Sequence, residues 1–327
     1  MEKNTTLKRT DIIVNAIITV IVLIVGLLLI GDYNEAFYVE NSAVRSIFNV
    51  LTQVGSELGY VFLLAASILA INKKYGRRLI IGFMLNQFVN SLIKDVVKDP
   101  RPDTNIVDGE PIETSYGFPS GHTQNGVAFW GFTFFYTKNT GKKDATNTFI
   151  KILSIFFMIV LPISRVIIGV HDLQDIVGGF VIGMIILNAY MPISDRMEKY
   201  REKPVGWKIG LGFLASFLLW ITVSVLVPDA AEGLGQPGGL LMAGAVFFPI
   251  EEEYVKWEPE ELGGKKKLIA GVVGLLLTLA VYFGLSAAFG SFTNNLWLWR
   301  TLRYFLVGAI VIMVAPYLLK KMLDKND

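Results

Sequence analysis

The sequence predicts an all-α, polytopic helical membrane protein, with a six-helix core followed by about four further transmembrane helices. Three observations predict it. Hydrophobic residues make up 53% of the 327-residue chain against 18% charged, and mean hydropathy is +0.50, far from the balance of a soluble domain. Apolar runs recur at 11–31, 56–72, 78–93, 121–137, 151–168, 173–193, 208–227, 268–289 and 302–319. Most approach the ~20 residues that carry a helix across a ~30 Å hydrocarbon layer. The basic residues are also sorted between these runs. With a tenth crossing at 234–250 and a cytoplasmic N-terminus, 23 of the 30 Lys and Arg residues, from Lys3 to Lys325, fall on the cytoplasmic side.

The first run is too long for a signal peptide and lacks a small-residue cleavage site, so it reads as a retained membrane helix. Segment 33–54 mixes Phe37, Tyr38, Val44, Ile47, Phe48 and Leu51 with polar residues and reads as an interfacial amphipathic helix. Residues 1–195 form the expected core and 196–206 a charged cytoplasmic linker ending near Pro204. Residues 207–327 form a C-terminal block open to three roles: lateral lipid access, homo-oligomer contact or stability. Within it, 234–250 carries Pro237 and a cluster of glycines and reads as a broken helix, either spanning or re-entrant; the charge count favours spanning. The stretch from Glu251 to Lys267 reads as a solvated cytoplasmic loop. Both termini are then cytoplasmic, and the absence of cysteine leans towards a prokaryotic plasma membrane.

The net charge of +2 points to no nucleic-acid partner. Zero cysteines exclude disulfides and thiolate catalysis, and with two histidines no zinc site and no cofactor is expected. Both histidines sit among phosphate-compatible residues. On the third run Asn86, Asn90 and Lys94 repeat at i+4, and Arg101-Pro102 follows, two turns on if the helix persists. Pro119-Ser120-Gly121-His122 opens the fourth run, with Ser120 as a helix cap and Gly121 permitting close approach to the backbone. Arg165 ends the apolar run before it, and His171 and Asp175 are i,i+4 neighbours expected on one face of the sixth helix. Gly178 and Gly179 allow that helix to pack tightly. The topology brings all three clusters to the extracytoplasmic face.

These residues permit phosphoryl transfer through a covalent phosphohistidine. His171 attacks phosphorus; Lys94, Arg101, Arg165, Ser120 and the Gly121 N–H neutralise the equatorial oxygens; His122 moves protons. Lys94-x6-Arg101-Pro102, Pro119-Ser120-Gly121-His122 and Ser164-Arg165-x5-His171-x3-Asp175 resemble the three-part signature of the type 2 phosphatidic acid phosphatase superfamily. That superfamily includes membrane lipid phosphate and polyprenyl diphosphate phosphatases, glucose-6-phosphatases and vanadium haloperoxidases. The resemblance covers about residues 55–195. It implies a six-helix phosphatase core and metal-independent hydrolysis, with His171 as nucleophile, His122 as acid and base, and Asp175 orienting the nucleophile. The expected partners are an amphiphilic phosphate substrate and membrane lipids. A water-soluble phosphomonoester is the alternative substrate, and a non-catalytic scaffold or transporter the alternative class. The loop 103–118, with Asp103, Asp108, Glu110 and Glu113, is expected either to shape headgroup choice or merely to be soluble.

Overall fold

A computed structural model describes residues 7–34, 37–107, 110–290 and 297–324; Lys3, Lys325 and Asp108 lie outside the described residues. The chain is almost entirely helical, as the apolar runs require. Along the chain come α1 (Arg9–Tyr33), α2 (Ser42–Thr52), α3 (Glu57–Ala66), α4 (Lys73–Val97), α5 (Gly121–Asn139), α6 (Ala145–Ile167) and α7 (Leu173–Glu198). They are followed by α8 (Val205–Leu226), α9 (Ala231–Ile250), α10 (Gly264–Phe289), α11 (Trp297–Ala309) and α12 (Ala315–Asp324). Among the described residues the strands are confined to a two-residue antiparallel ladder, β1 (Ile106–Val107) with β2 (Glu110–Pro111), between α4 and α5. Among the described residues, eight helical stretches are long and apolar enough to cross a membrane. They become nine if the bent pair Ser42–Gly55 and Glu57–Ile71 is one span. The helices run a turn or more past several of the apolar runs because their charged ends continue the helix into the interface.

Ten crossings were expected, and α5 is not among the stretches apolar enough to cross even when the bent pair is counted as one span. Its composition follows from its place. Of its 19 residues 13 are buried, including Thr123, Gln124 and Thr133, because it packs against both α6 and α7. A helix enclosed by other helices needs little lipid-facing apolar surface. α1 shows the reverse pattern. Its buried residues are Asp11, Asn15 and Gly26, while Ile13, Ile17, Ile21, Leu27 and Leu28 are exposed. Asp11 pairs with Lys138 at 2.6 Å and Asn15 accepts no water-facing role, donating instead to Asn188 Oδ1 at 2.8 Å. Polar residues therefore fix α1 on α7 and α5, and its aliphatic residues suit lipid.

The chain divides into two compact units: Met1–Gly59 with Val89–Glu198, and Tyr60–Phe88 with Lys199–Asp327. The division falls within α4. In the first unit α5 is flanked by α6 and α7, α1 lies on α7, and α2 lies on α6. Of the amphipathic segment predicted over 33–54, Ser42–Thr52 forms an α-helix, capped by the Asn41 side chain and continued by a 3-10 turn at Gln53–Gly55, with Ile47 and Val50 exposed. In the second unit α9 packs against α8 and α11, and α10 against α11 and α12. The broken helix expected at 234–250 is instead continuous: α9 runs through Pro237 from Ala231 to Ile250. Its glycines serve packing. Gly238 lies under the Trp220 ring and Gly239 against the Thr301 carbonyl. The reading of Glu251–Lys267 as solvated also needs correction. Glu251 is buried, accepts from Trp257 N–H at 2.8 Å and pairs with Lys73 at 3.5 Å, and Trp257 is itself buried. A carboxylate accepts burial here because an ammonium and an amide meet it.

A Cβ at Gly239 would lie 2.3 Å from the Thr301 carbonyl oxygen, a backbone atom that cannot rotate away. Gly239→Ala is expected to destabilise the second unit by about 1–3 kcal/mol. A thermal melt in detergent checks this, and an unchanged midpoint would show a looser α9–α11 contact.

Candidate active site

The first unit holds every residue of the three clusters. α4 ends at Val97, and Lys98 turns the chain with φ of 54°. Arg101 therefore sits in the following loop and not on a continued helix. α6 ends with Gly169 at φ of 81°; Val170 N–H donates to Arg165 O and Gly169 N–H to Val166 O. This left-handed C-terminal turn requires glycine, and the Tyr38 ring packs where a Cβ would stand. The turn delivers His171 two residues ahead of α7, so His171 and Asp175 do not share a helix as the spacing predicted. They still meet: His171 Nδ1 and Asp175 Oδ2 are 2.7 Å apart, and both side chains are buried.

The start of α7 is saturated. Asn34 accepts from Leu173 and Gln174 N–H through its carbonyl and side-chain oxygens, and Asp172 Oδ1 accepts from Asp175 N–H at 3.1 Å. The start of α5 is different. Ser120 is wholly buried as its cap, and its hydroxyl accepts from Thr123 N–H at 3.4 Å and Thr123 Oγ1 at 3.1 Å. Ser120 N–H donates to Asp175 O, so the two helix starts are tied together. The Gly121 and His122 N–H groups belong to the first turn, which no intrahelical carbonyl reaches. Gly178 and Gly179 admit the Phe118 ring and the Ser120 carbonyl against α7, as their spacing predicted. Asn90 fixes the same loop by donating to Pro119 O at 3.3 Å and to Gln124 Oε1 at 2.9 Å.

Three cations converge on the His171 ring and the loop beside it. Arg101 Nη1 lies 3.2 Å from His171 Nε2 and donates to Val170 O at 2.7 Å; Arg101 also binds Ser115 O at 2.6 Å and Ser115 Oγ at 3.0 Å. Lys94 donates to Tyr116 O and, at 3.2 Å, to Gly117 O. Arg165, 3% exposed, donates to Thr52 Oγ1 at 3.2 Å and to Glu113 Oε1 at 2.5 Å. Glu113 also stands 4.0 Å from Arg101. Burial lowers the Arg101 pKa to about 10, with Glu113 opposing the shift and Arg165 adding to it, so the guanidinium keeps its charge at neutral pH. Burial, then Arg101, Lys94, Arg165 and His122, hold His171 well below its ordinary 6.5. A neutral ring that donates from Nδ1 to the Asp175 carboxylate leaves Nε2 with its lone pair. His122 lies against Gly55, where a Cβ would come 2.9 Å from its Cδ2. Among the described residues no three His, Asp or Glu side chains converge as a metal site would require.

Residues 75–198 match the family described as the PAP2 superfamily, and residues 234–325 match the PAP2 superfamily phosphatase transmembrane extension. The chain therefore carries a PAP2 superfamily domain followed by the PAP2 transmembrane extension. Its PAP2 domain carries all three clusters, and the extension accounts for the α9–α12 region as a recurring appendage. The chain is 28% identical to mouse sphingosine-1-phosphate phosphatase 1 over 65% of its own length and 50% of the relative. It is 23% identical to phosphatidylglycerophosphatase B of Bacillus subtilis over 49% of its length and 80% of that protein. Against yeast dolichyldiphosphatase the identity is 29%, over 33% of this chain and 47% of the relative. The chain thus spans about half the length of the sphingosine-phosphate phosphatases that it matches. Among solved structures, a transmembrane PAP2 type phosphatidylglycerolphosphate phosphatase from Bacillus subtilis superposes with a TM-score of 0.45 at 20% identity, over 56% of this chain and 96% of that one.

Sequence reasoning missed Thr52, Asn105 and Ser115 at this site, and it left Glu113 among four acidic loop residues. None lies in a charged or periodic pattern that would distinguish it; only the folded chain brings them to the cations.

Two histidines make the protonation state of the PAP2 domain directly observable. In the detergent-solubilised protein with labelled histidine, the His171 NMR signal is expected to remain that of a neutral ring at about pH 6, below the usual histidine pKa. A ring that titrates at 6.5 or above would contradict the burial and the cationic surroundings described here.

Proposed function

We propose that this protein is an integral-membrane, metal-independent phosphatase that hydrolyses a lipid phosphate or polyprenyl diphosphate through a phosphohistidine, at the extracytoplasmic face. The observation that carries the proposal is the His171 ring, held by Asp175 through Nδ1 at 2.7 Å, with Nε2 turned to Arg101 at 3.2 Å. Phosphoryl transfer asks for little covalent chemistry from a protein beyond a placed nucleophile and neutralisation of the oxygens.

In the reaction, Arg101 releases Nε2 as it takes a phosphate oxygen, and the Nε2 lone pair forms a bond to phosphorus. Lys94, Arg101 and Arg165 neutralise the equatorial oxygens, with the Gly121 N–H and Ser120 at the start of α5. Arg165 contributes with particular force because its Nε has no partner among the described residues and is buried. The bond from phosphorus to the leaving oxygen breaks, and His122 gives that oxygen its proton. His122 then takes a proton from water, which attacks phosphorus, returns Nε2 to His171 and frees inorganic phosphate. Asp175 keeps the ring in the correct tautomer and stabilises the charge that develops on it.

The relatives named above act, by their names, on a sphingoid monophosphate, a phosphatidylglycerol phosphate and a dolichyl diphosphate. Their common feature is a terminal phosphate on an apolar tail, and that supports the substrate class. The charge sorting of the loops supports cytoplasmic termini and the opposite side for the site. We assign the chemistry to residues 1–195, with 196–206 as linker and 207–327 as a block that lies outside the chemistry.

Purified protein in detergent should release phosphate from at least one of phosphatidate, sphingosine phosphate, polyprenyl diphosphate or phosphatidylglycerol phosphate. Release should survive a chelator, be blocked by vanadate, and vanish in His171→Ala. Asp175→Asn should lose about 10²–10³ in rate, by analogy with loss of a single group preorganised around a charged transition state. Activity that needs Mg²⁺, or that persists without His171, would sink the mechanism.

A further inference from the structure

The cradle proposed to bind phosphate is already occupied by the protein's own chain. The segment from Glu113 to Gly117 supplies oxygens to all three cations: the Glu113 carboxylate to Arg165 and Arg101, Ser115 to Arg101, and the Tyr116 and Gly117 carbonyls to Lys94. Only one of these acceptors is charged, and it sits at the end of a flexible side chain. The backbone of Glu113 is fixed independently. Asn105 accepts from Glu113 N–H at 3.1 Å and donates to Glu113 O at 3.0 Å, and Asn105 is buried. The Glu113 side chain is a third exposed, while Arg165 beneath it is 3% exposed. The carboxylate can therefore swing into water about its own side-chain bonds while the loop stays in place.

We infer that Glu113 is a further functional residue of the reaction, an internal stand-in for phosphate that yields to the substrate and returns to displace the product. The inference rests on the reading of this cluster as a phosphate cradle. Two anions cannot share Arg165 and the near side of Arg101, so a phosphate that enters must evict the carboxylate. After hydrolysis and loss of the tail, the inorganic phosphate is held by charge alone. The carboxylate, tethered at high effective concentration, competes for the same guanidinium groups. Glu113 also balances charge between turnovers, when two guanidinium groups and an ammonium would otherwise face one another across a largely buried site.

A displaced competitor has a distinctive signature. It weakens every anion by the same factor, because each must first pay the identical cost of opening the site. A residue that touches the ligand would instead alter the ratio between ligands. The test uses the full chain in detergent, with calorimetric binding of inorganic phosphate and of dimethyl phosphate to the wild type, Glu113→Gln and Glu113→Asp. Glu113→Gln should bind both anions more tightly by about tenfold or more, the scale of one lost charge-assisted contact. The ratio between the two anions should be unchanged, and Glu113→Asp should stay near the wild type. In turnover, KM and the inhibition constant for phosphate should fall together in Glu113→Gln. If Glu113→Gln binds phosphate equally or more weakly, the stand-in role is overturned while the cradle survives. If neither wild type nor variant binds phosphate, the cradle itself is wrong.

Discussion

Three like charges that must lie close together in a poorly solvated place are the constraint around which the first unit is built. Lys94, Arg101 and Arg165 come from the end of α4, the loop after it and the end of α6. Each alone would be costly beside a membrane, and together they repel. The surrounding structure answers this with oxygens. Glu113 meets two of the cations, Thr52 takes a further Arg165 N–H, and the carbonyls of residues 115–117 cover Arg101 and Lys94. Burial and the same crowding hold the His171 pKa well below its ordinary value and so favour the neutral ring.

Secondary structure serves that arrangement through its ends. Three helix termini meet at the histidine pair, and each is finished differently. α6 stops at a left-handed glycine that throws His171 forward. α7 begins with its N–H groups already satisfied by Asn34 and Asp172, so it offers no competing anion seat. α5 begins at a buried serine with its first N–H groups still available. The bond from Ser120 N–H to Asp175 O couples the two histidine-bearing segments through backbone atoms.

Much of this was legible in the sequence, and what was not has identifiable causes. Apolar runs located the helices because lipid imposes one strong and local signal. The continuity of α9 was obscured since Pro237 and its neighbouring glycines look like a break until Trp220 and Thr301 are seen filling the space they leave. Lys94, Arg101, Arg165, His122, His171 and Asp175 stood out because charge is rare in such a chain. Glu113 did not, being one acid of several in a polar loop whose pairing depends on a buried asparagine eight residues away. The burial of Glu251 escaped notice for the same reason: its partners Lys73 and Trp257 are set by the fold of the second unit.

The enclosed, polar character of α5 has a consequence for how the protein is made. A segment that carries Thr123, Gln124, Asn125 and Thr133 among its aromatics gains too little from lipid to partition there unaided. It precedes α6 and α7 in synthesis, yet they are the surfaces that bury it. α5 therefore gains its burial only when the following two helices are present. The burial of α5 is thereby tied to the later arrival of residues 145–198, and His122 and His171 come together in the same step.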